Sequence, residues 1–171
     1  MLNEKMINMV NVQINKEIYS AYLYLDFANF FEDKGLDGFA NWYHIQAQEE
    51  MDHAKLFYQY LHYNDAKVVL EAVDKPDFQA ADILDAAKAG LKHEQYVTSL
   101  INDLYALAYD LKDFRTMQFL DWFVKEQAEE EKNAQDIITK AELFGGDAKA
   151  LYMLDNELKA RVYSAPSLVL D

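Results

Sequence analysis

Four long stretches of the chain carry apolar residues at alternating spacings of three and four, the repeat that lines up one row of side chains on one face of an α-helix. The first row is Val10, Ile14, Glu17, Ala21, Tyr24, Ala28 and Phe31; the second is Phe39, Tyr43, Gln46, Glu50, His53, Phe57 and Tyr60. The third is Ile83, Ala87, Gly90, Glu94, Val97, Ile101 and Leu104, and the fourth is Leu120, Phe123, Gln127, Glu130, Ala134, Ile137 and Ala141. Each row is apolar except near its middle. The spacing predicts helices over about 3–33, 38–64, 82–109 and 113–145, with Asp82 as an N-cap and with Gly35 and the Gly145-Gly146 pair as stop signals. Asp147 can cap a short fifth helix over about 148–162, with Leu151, Leu154 and Leu158 on one face. Beyond it Pro166 opens a tail over 163–171, whose Leu168, Val169 and Leu170 have no obvious partner; packing on a neighbouring subunit and disorder are both open.

The turn between the first two helices is so short that they must be antiparallel neighbours. Residues 66–81 break the period and include Pro76. Extended, such a segment covers about 50 Å, enough to travel the length of a bundle, so a crossover from one end to the other is expected. The resulting architecture is all-α: a four-helix bundle with a long second-to-third crossover and a short fifth helix. Heights along the helices then test whether the four interruptions can meet. At about 1.5 Å per residue, Glu17, Glu50, Glu94 and Glu130 all fall within roughly two turns of mid-bundle.

An ionised carboxylate is kept in a core only when something compensates it, and a Glu-x-x-His pair on a bundle helix is a recurring way to hold iron or manganese. One such helix alone is more simply a core His bonded to Glu. Four interrupted helices are different. Glu17, Glu50, His53, Glu94, Glu130 and Gln127 would form a di-iron carboxylate pocket, with Glu17 and His53 on the first metal, Glu94 and Glu130 on the second, and Glu50 bridging. Tyr24, on the same row as Glu17, would bond to the site or supply an electron; a buried Tyr with a satisfied hydroxyl is the competing reading. Glu49, Glu126 and Glu129 are displaced by one residue from these positions, about 100° around their helices, and suggest a third, more exposed metal position. The competing reading there is a solvated acidic face paired with Lys125 and Lys132. His44, His62 and His93 lack partners at ligand spacing and read as surface or packing residues.

Composition narrows the chemistry. With 12 Tyr and 10 Phe but few Gly (5) and Pro (2) among 171 residues, a helical protein is favoured over a turn-rich sheet. The absence of cysteine excludes disulfides and thiolate metal sites, leaving carboxylate, imidazole and amide ligands for iron, manganese or zinc. A net charge of −14 disfavours nucleic acid and anionic membranes as partners and attracts cations. No window approaches a membrane span and the first residues do not read as a secretory signal, so a cytoplasmic location is expected.

The stretches QEEMDHAK and EQAEEEKN, together with Glu17, Tyr24 and Glu94, resemble those of bacterial non-haem ferritins, and the resemblance covers about the whole chain as a single ferritin-like domain, 1–171. It implies an iron-storage ferroxidase: Fe(II) is oxidised by oxygen or hydrogen peroxide at the intrasubunit site, and Fe(III) mineralises inside a hollow shell of twenty-four subunits. It also implies a third iron site at the positions matching Glu49, Glu126, Glu129 and Glu130, and a four-fold contact for the fifth helix. Bacterioferritins carry a second Glu-x-x-His where this chain reads Gln127-Ala128-Glu129-Glu130, although Met51 stands where they place their haem ligand. A haem-containing storage protein, a di-iron oxygenase or peroxidase, and a non-catalytic helical scaffold are the alternatives.

Overall fold

The computed structural model describes residues 2–170, among which there are five helices and no strand: α1 (Glu4–Asp33), α2 (Asp37–Tyr63), α3 (Ile83–Asp110), α4 (Phe114–Phe144) and α5 (Ala148–Leu158). Met1 and Asp171, the ends of the expected domain, lie outside the described residues. The four long helices start and stop within a residue or so of the expected positions. Four of the five helix starts are held chemically: the side chains of Asn3, Asp82, Asp113 and Asp147 accept from the backbone N–H of Lys5, Asp85, Thr116 and Ala150, capping α1, α3, α4 and α5.

Helix α2 is the exception, since Leu36 at its N-cap offers no side-chain bond. Its cap comes from elsewhere in the chain. Asp155 Oδ1 of α5 accepts from Gly38 N at 2.8 Å and from Phe39 N at 3.1 Å. The approach is so close that a Cβ on Gly38 would stand 1.7 Å from the Asp155 carbonyl oxygen. Asp155→Ala removes both acceptors and a negative charge from the positive end of the helix dipole. A stability loss of about 1–2 kcal/mol is expected in chemical denaturation. An unchanged midpoint would mean that α5 does not hold the start of α2.

The crossover runs where its length requires. Asn11 of α1 donates to Lys67 O at 3.0 Å and accepts from Val69 N at 2.7 Å; Asn15 donates to Ala72 O at 3.0 Å, and Tyr19 to Asp77 at 3.2 Å. The segment therefore climbs along α1, one turn of helix at a time, until Phe78 stacks on Phe27 at a centroid separation of 3.8 Å. It delivers α3 against α1 and α4, antiparallel to α1 and so running in the same direction as α2, which is what places Glu50 and Glu94 level.

Two apolar clusters fill the bundle. One joins Met6, Val10 and Ile14 to Phe57, Leu104 and Phe123; the other joins Phe27, Phe31, Phe39, Ala87 and Ile137 to Leu154 and Leu158 of α5. The polar layer lies between them. All four predicted rows are buried, apart from Ile83 and Ala134, which are half-buried.

The C-terminal region departs from expectation. Helix α5 ends at Leu158 rather than near 162, because Arg161 turns back onto the bundle: its guanidinium lies 4.1 Å from the Trp42 ring centre and its carbonyl accepts from Asn41 Nδ2 at 3.1 Å. The tail lies along its own bundle, with Val169 exposed. Leu168 and Leu170 pack on the first apolar cluster of their own bundle, and Ser167 Oγ accepts from Trp122 Nε1 at 3.0 Å.

Candidate metal centre

Glu17 comes from α1, Glu50 and His53 from α2, Glu94 from α3, and Gln127 and Glu130 from α4; none is more than 5% exposed. The apolar clusters above and below fix the heights of these helices, so the polar side chains have nowhere to go but toward one another. Glu17, Glu50 and His53 meet, with one ligand atom from each lying within 4.8 Å of the others. His53 Nδ1 stands 3.3 Å from Glu50 Oε2.

Two further carboxylates complete the layer in a different state. The Tyr24 hydroxyl donates to Glu94 Oε1, and Gln127 Nε2 lies 3.2 Å from Glu94 Oε2 and 3.3 Å from the Glu94 carbonyl oxygen. Glu130 Oε2 accepts from Gln46 Nε2 at 2.8 Å. On the opposite side Gln13 Nε2 donates to Glu17 Oε1 at 2.8 Å. Thus Glu94 and Glu130 are held in place by hydrogen bonds, while Glu50 stands between them and Glu17 with no bond of its own.

The unpaired atoms are the most informative feature. Among the described residues, the buried side-chain atoms without a hydrogen-bond partner are Glu17 Oε2, Gln46 Oε1, both Glu50 oxygens and His53 Nδ1, and every one lies in this layer. Buried polar groups are ordinarily satisfied, and an isolated unsatisfied one costs about 1–3 kcal/mol. Five together, with acceptors on all sides, describe a space shaped for a cation. Carboxylate oxygen and imidazole nitrogen suit iron, manganese or zinc at about 2.0–2.2 Å.

The electrostatics agree. Burial, and then the neighbouring Glu50, pushes the Glu17 carboxyl well above the usual carboxylate range. Glu50 is raised by burial and by Glu94 and Glu130. Burial also raises Glu94, against the lowering effect of the Tyr24 and Gln127 bonds. Glu130 is pushed up to about 8, by burial first and by Glu94 second. Without a cation the pocket must hold protons instead.

The remaining sequence candidates fall elsewhere. Glu49, Glu126 and Glu129 do not enter the buried layer; they line a separate cavity of about 300 Å³ with His53 in its wall and residues 164–167 of the tail opposite. Glu49 is paired with Arg161 at 2.6 Å and Glu129 with Lys125 at 3.6 Å, whereas Lys132 turns to Asp136 rather than to this group. Met51 is exposed, beside Tyr22 and Leu25 in an apolar groove on the outer face of α1 and α2, away from the metal layer.

Gln13, His93 and Trp122 also belong to the surroundings of the site. Gln13 stands four residues before Glu17, a spacing at which helical side chains touch, so its role was readable. The sequence expectation for His93 is a surface or packing residue. It is packing: Ser20 lies 2.8 Å from its Nε2 and its ring meets Tyr24 edge-on at 5.6 Å, with burial holding its pKa down at about 4. Trp122 stands edge-on to His53 at 5.5 Å, and nothing in its spacing announced it.

Comparison with known proteins converges on one group. The model of the ferritin-like domain family matches residues 7–144. A bacterial non-heme ferritin of Campylobacter jejuni is 37% identical over 159 residues, covering 93% of this chain and 95% of its own. One from Staphylococcus saprophyticus is 37% identical over 163 residues, covering 95% and 98%. Among solved structures, the open-pore ferritin of the archaeon Archaeoglobus fulgidus superposes with a TM-score of 0.92 at 44% identity, covering 95% of this chain and all of that one.

Proposed function

Since the chain belongs to the ferritin family, whose members store iron, we propose that it is a ferroxidase that oxidises Fe(II) in its buried carboxylate layer and stores the Fe(III) product as a mineral. The observation that carries this reading is the concentration, among the described residues, of every unsatisfied buried side-chain atom at Glu17, Gln46, Glu50 and His53. Glu17 and His53 would hold one Fe(II), Glu94 and Glu130 the other, and Glu50 both. Two Fe(II) give one electron each, so that dioxygen and two protons yield one hydrogen peroxide; peroxide supplied from outside can take two electrons in the same way.

The protein's contribution is electrostatic. Carboxylates that are reluctant to ionise in the empty pocket give up their protons as metal enters, and hard anionic oxygens favour Fe(III) over Fe(II). Tyr24, bonded to Glu94, can pass an electron to the site through that contact. Gln127 holds Glu94 in position without adding a second imidazole, which leaves the second metal more weakly held and able to depart. Glu49, Glu126 and Glu129 would form a third, more exposed iron position beside the layer. We place this in a cytoplasmic shell of twenty-four identical subunits, without nucleic-acid or membrane partners; no described helix is long and apolar enough to cross a membrane.

An oxygenase acting on an organic substrate fits less well. The cavity against Tyr24, Gly90, Glu94 and Glu130 measures about 20 Å³, room for one water-sized molecule. The deciding experiment adds Fe(II) anaerobically to the metal-free protein, admits oxygen, and follows ferric absorbance against iron per subunit. A fast phase ending near two to three irons, followed by slow uptake of a large soluble excess, is expected. Fast oxidation without retention would favour the oxygenase, and no fast phase would leave a scaffold.

A further inference from the structure

The C-terminal segment beyond α5 is fastened over the outer carboxylates at several points. Arg161 Nη2 lies 2.6 Å from Glu49 Oε2, and both side chains are only 17% exposed. Arg161 Nη1 donates to Trp42 O at 3.2 Å while the guanidinium plane covers the Trp42 ring at 4.1 Å. The Tyr163 hydroxyl donates to Asp52 Oδ2, and Ser167 accepts from Trp122. Residues 164–167 then form the wall of the 300 Å³ cavity that faces Glu49, Glu126, Glu129 and His53. A guanidinium held by an ion pair, a backbone carbonyl and an aromatic face is fixed rather than draped.

We propose that Arg161 is a specificity-determining residue that occupies Glu49 as a built-in cation, so that a metal ion gains the outer carboxylates only by displacing it. The inference rests on the proposed function, because it assumes that Fe(II) fills the buried layer first. Glu49 is the most enclosed of the three outer carboxylates, and its paired oxygen faces the guanidinium. Glu126 and Glu129 alone are a poor site: Glu129 is exposed and engaged by Lys125. The number of metal ions that this subunit binds tightly is thereby set at the two of the buried layer, and the outer position fills only at high metal concentration. The tail between Arg161 and Leu170 holds the guanidinium in place, so this segment regulates an outer metal site from outside its carboxylates.

The test is anaerobic titration of the full-length protein with Fe(II), and separately with Zn(II), followed calorimetrically. Arg161→Gln keeps much of the side chain's length and a planar end but removes the charge; Arg161→Lys keeps the charge and loses the forked geometry. Two tight ions per subunit and a weak third are expected for the unaltered chain and for Arg161→Lys. A third ion bound at least tenfold more tightly is expected for Arg161→Gln, and this gain should vanish in the double variant with Glu49→Gln. Thermal melting of the metal-free variants checks that each is folded, and deletion of residues 161–171 gives a second route to the same gain. Two tight ions with an unchanged third in both Arg161→Gln and the deletion would overturn the inference and leave the proposed function standing. No tight ion in any variant would overturn both.

Discussion

Glu50→Gln is expected to abolish fast Fe(II) oxidation and, at the same time, to make the metal-free protein more stable. Both effects come from one position. Glu50 stands in the middle of the layer with neither oxygen hydrogen-bonded, pressed by the charges of Glu94 and Glu130. Glutamine has the same shape and no charge, and its amide can donate to the carboxylates around it. The metal-free fold then no longer has to keep a buried carboxyl protonated above its ordinary range, for a gain of about 2 kcal/mol, or about 4–8 °C in melting temperature. The metal loses the carboxylate it would share between two positions. Removing even a group that merely orients a metal ligand costs 10–100-fold in affinity. Loss of the bridging ligand should therefore slow oxidation by more than about 100-fold, read as initial ferric absorbance under air. The combination is diagnostic: a polar network that only held the bundle together would weaken when Glu50 was changed, and its melting temperature would fall.

The second large effect is on pH. Metal-free protein should lose stability as the solution is made more alkaline between about pH 5 and pH 8, and a bound divalent ion should remove most of that loss. The sign follows from the raised carboxyls. Glu17, Glu50, Glu94 and Glu130 hold their protons in the folded state to higher pH than they do unfolded. Below their ordinary range near 4.5 both states are protonated and the contribution is complete. As pH rises, the unfolded chain ionises first, and the folded advantage is spent by the time Glu130 ionises at about 8. The rise at Glu130 adds to the same slope in the same direction as the other three carboxyls. Denaturation midpoints measured from pH 5 to pH 8.5, with chelator and with Zn(II), would show a falling curve and a nearly level one, and Zn(II) binding at pH 7 should release protons into a weak buffer. A metal-free protein whose stability rose across this interval would contradict the buried-carboxylate account.

Much of this molecule is legible in the spacing of its residues. The rows through Glu17, Glu50, Glu94 and Glu130 are helical periods, and period is a local property that a chain carries whatever it packs against. The caps at Asp82, Asp113 and Asp147 are equally local, since the acceptor and its N–H lie three residues apart. Even the convergence of four polar positions on one layer could be read in advance, because helix rise converts sequence number into height and the long crossover fixes the direction of α3. The pair Glu50 and His53, one turn apart on one helix, was the clearest sign of what the layer is for.

Tertiary structure alone decided which of those carboxylates are bonded and which are bare. Glu94 meets Tyr24 across 70 positions and Glu130 meets Gln46 across 84, separations over which no local rule operates. The start of α2 is capped by Asp155, 117 residues away from Gly38, and the tail finds Trp122 and Glu49 by folding back along the bundle. Sequence number gives a side chain its height and its face. It does not give the identity of the atom opposite, because that depends on how helices distant in the chain rotate and settle as their apolar rows interlock. Residue spacing makes this chain a bundle with acids at its centre, and the way the helices pack leaves Glu50 unpaired among them.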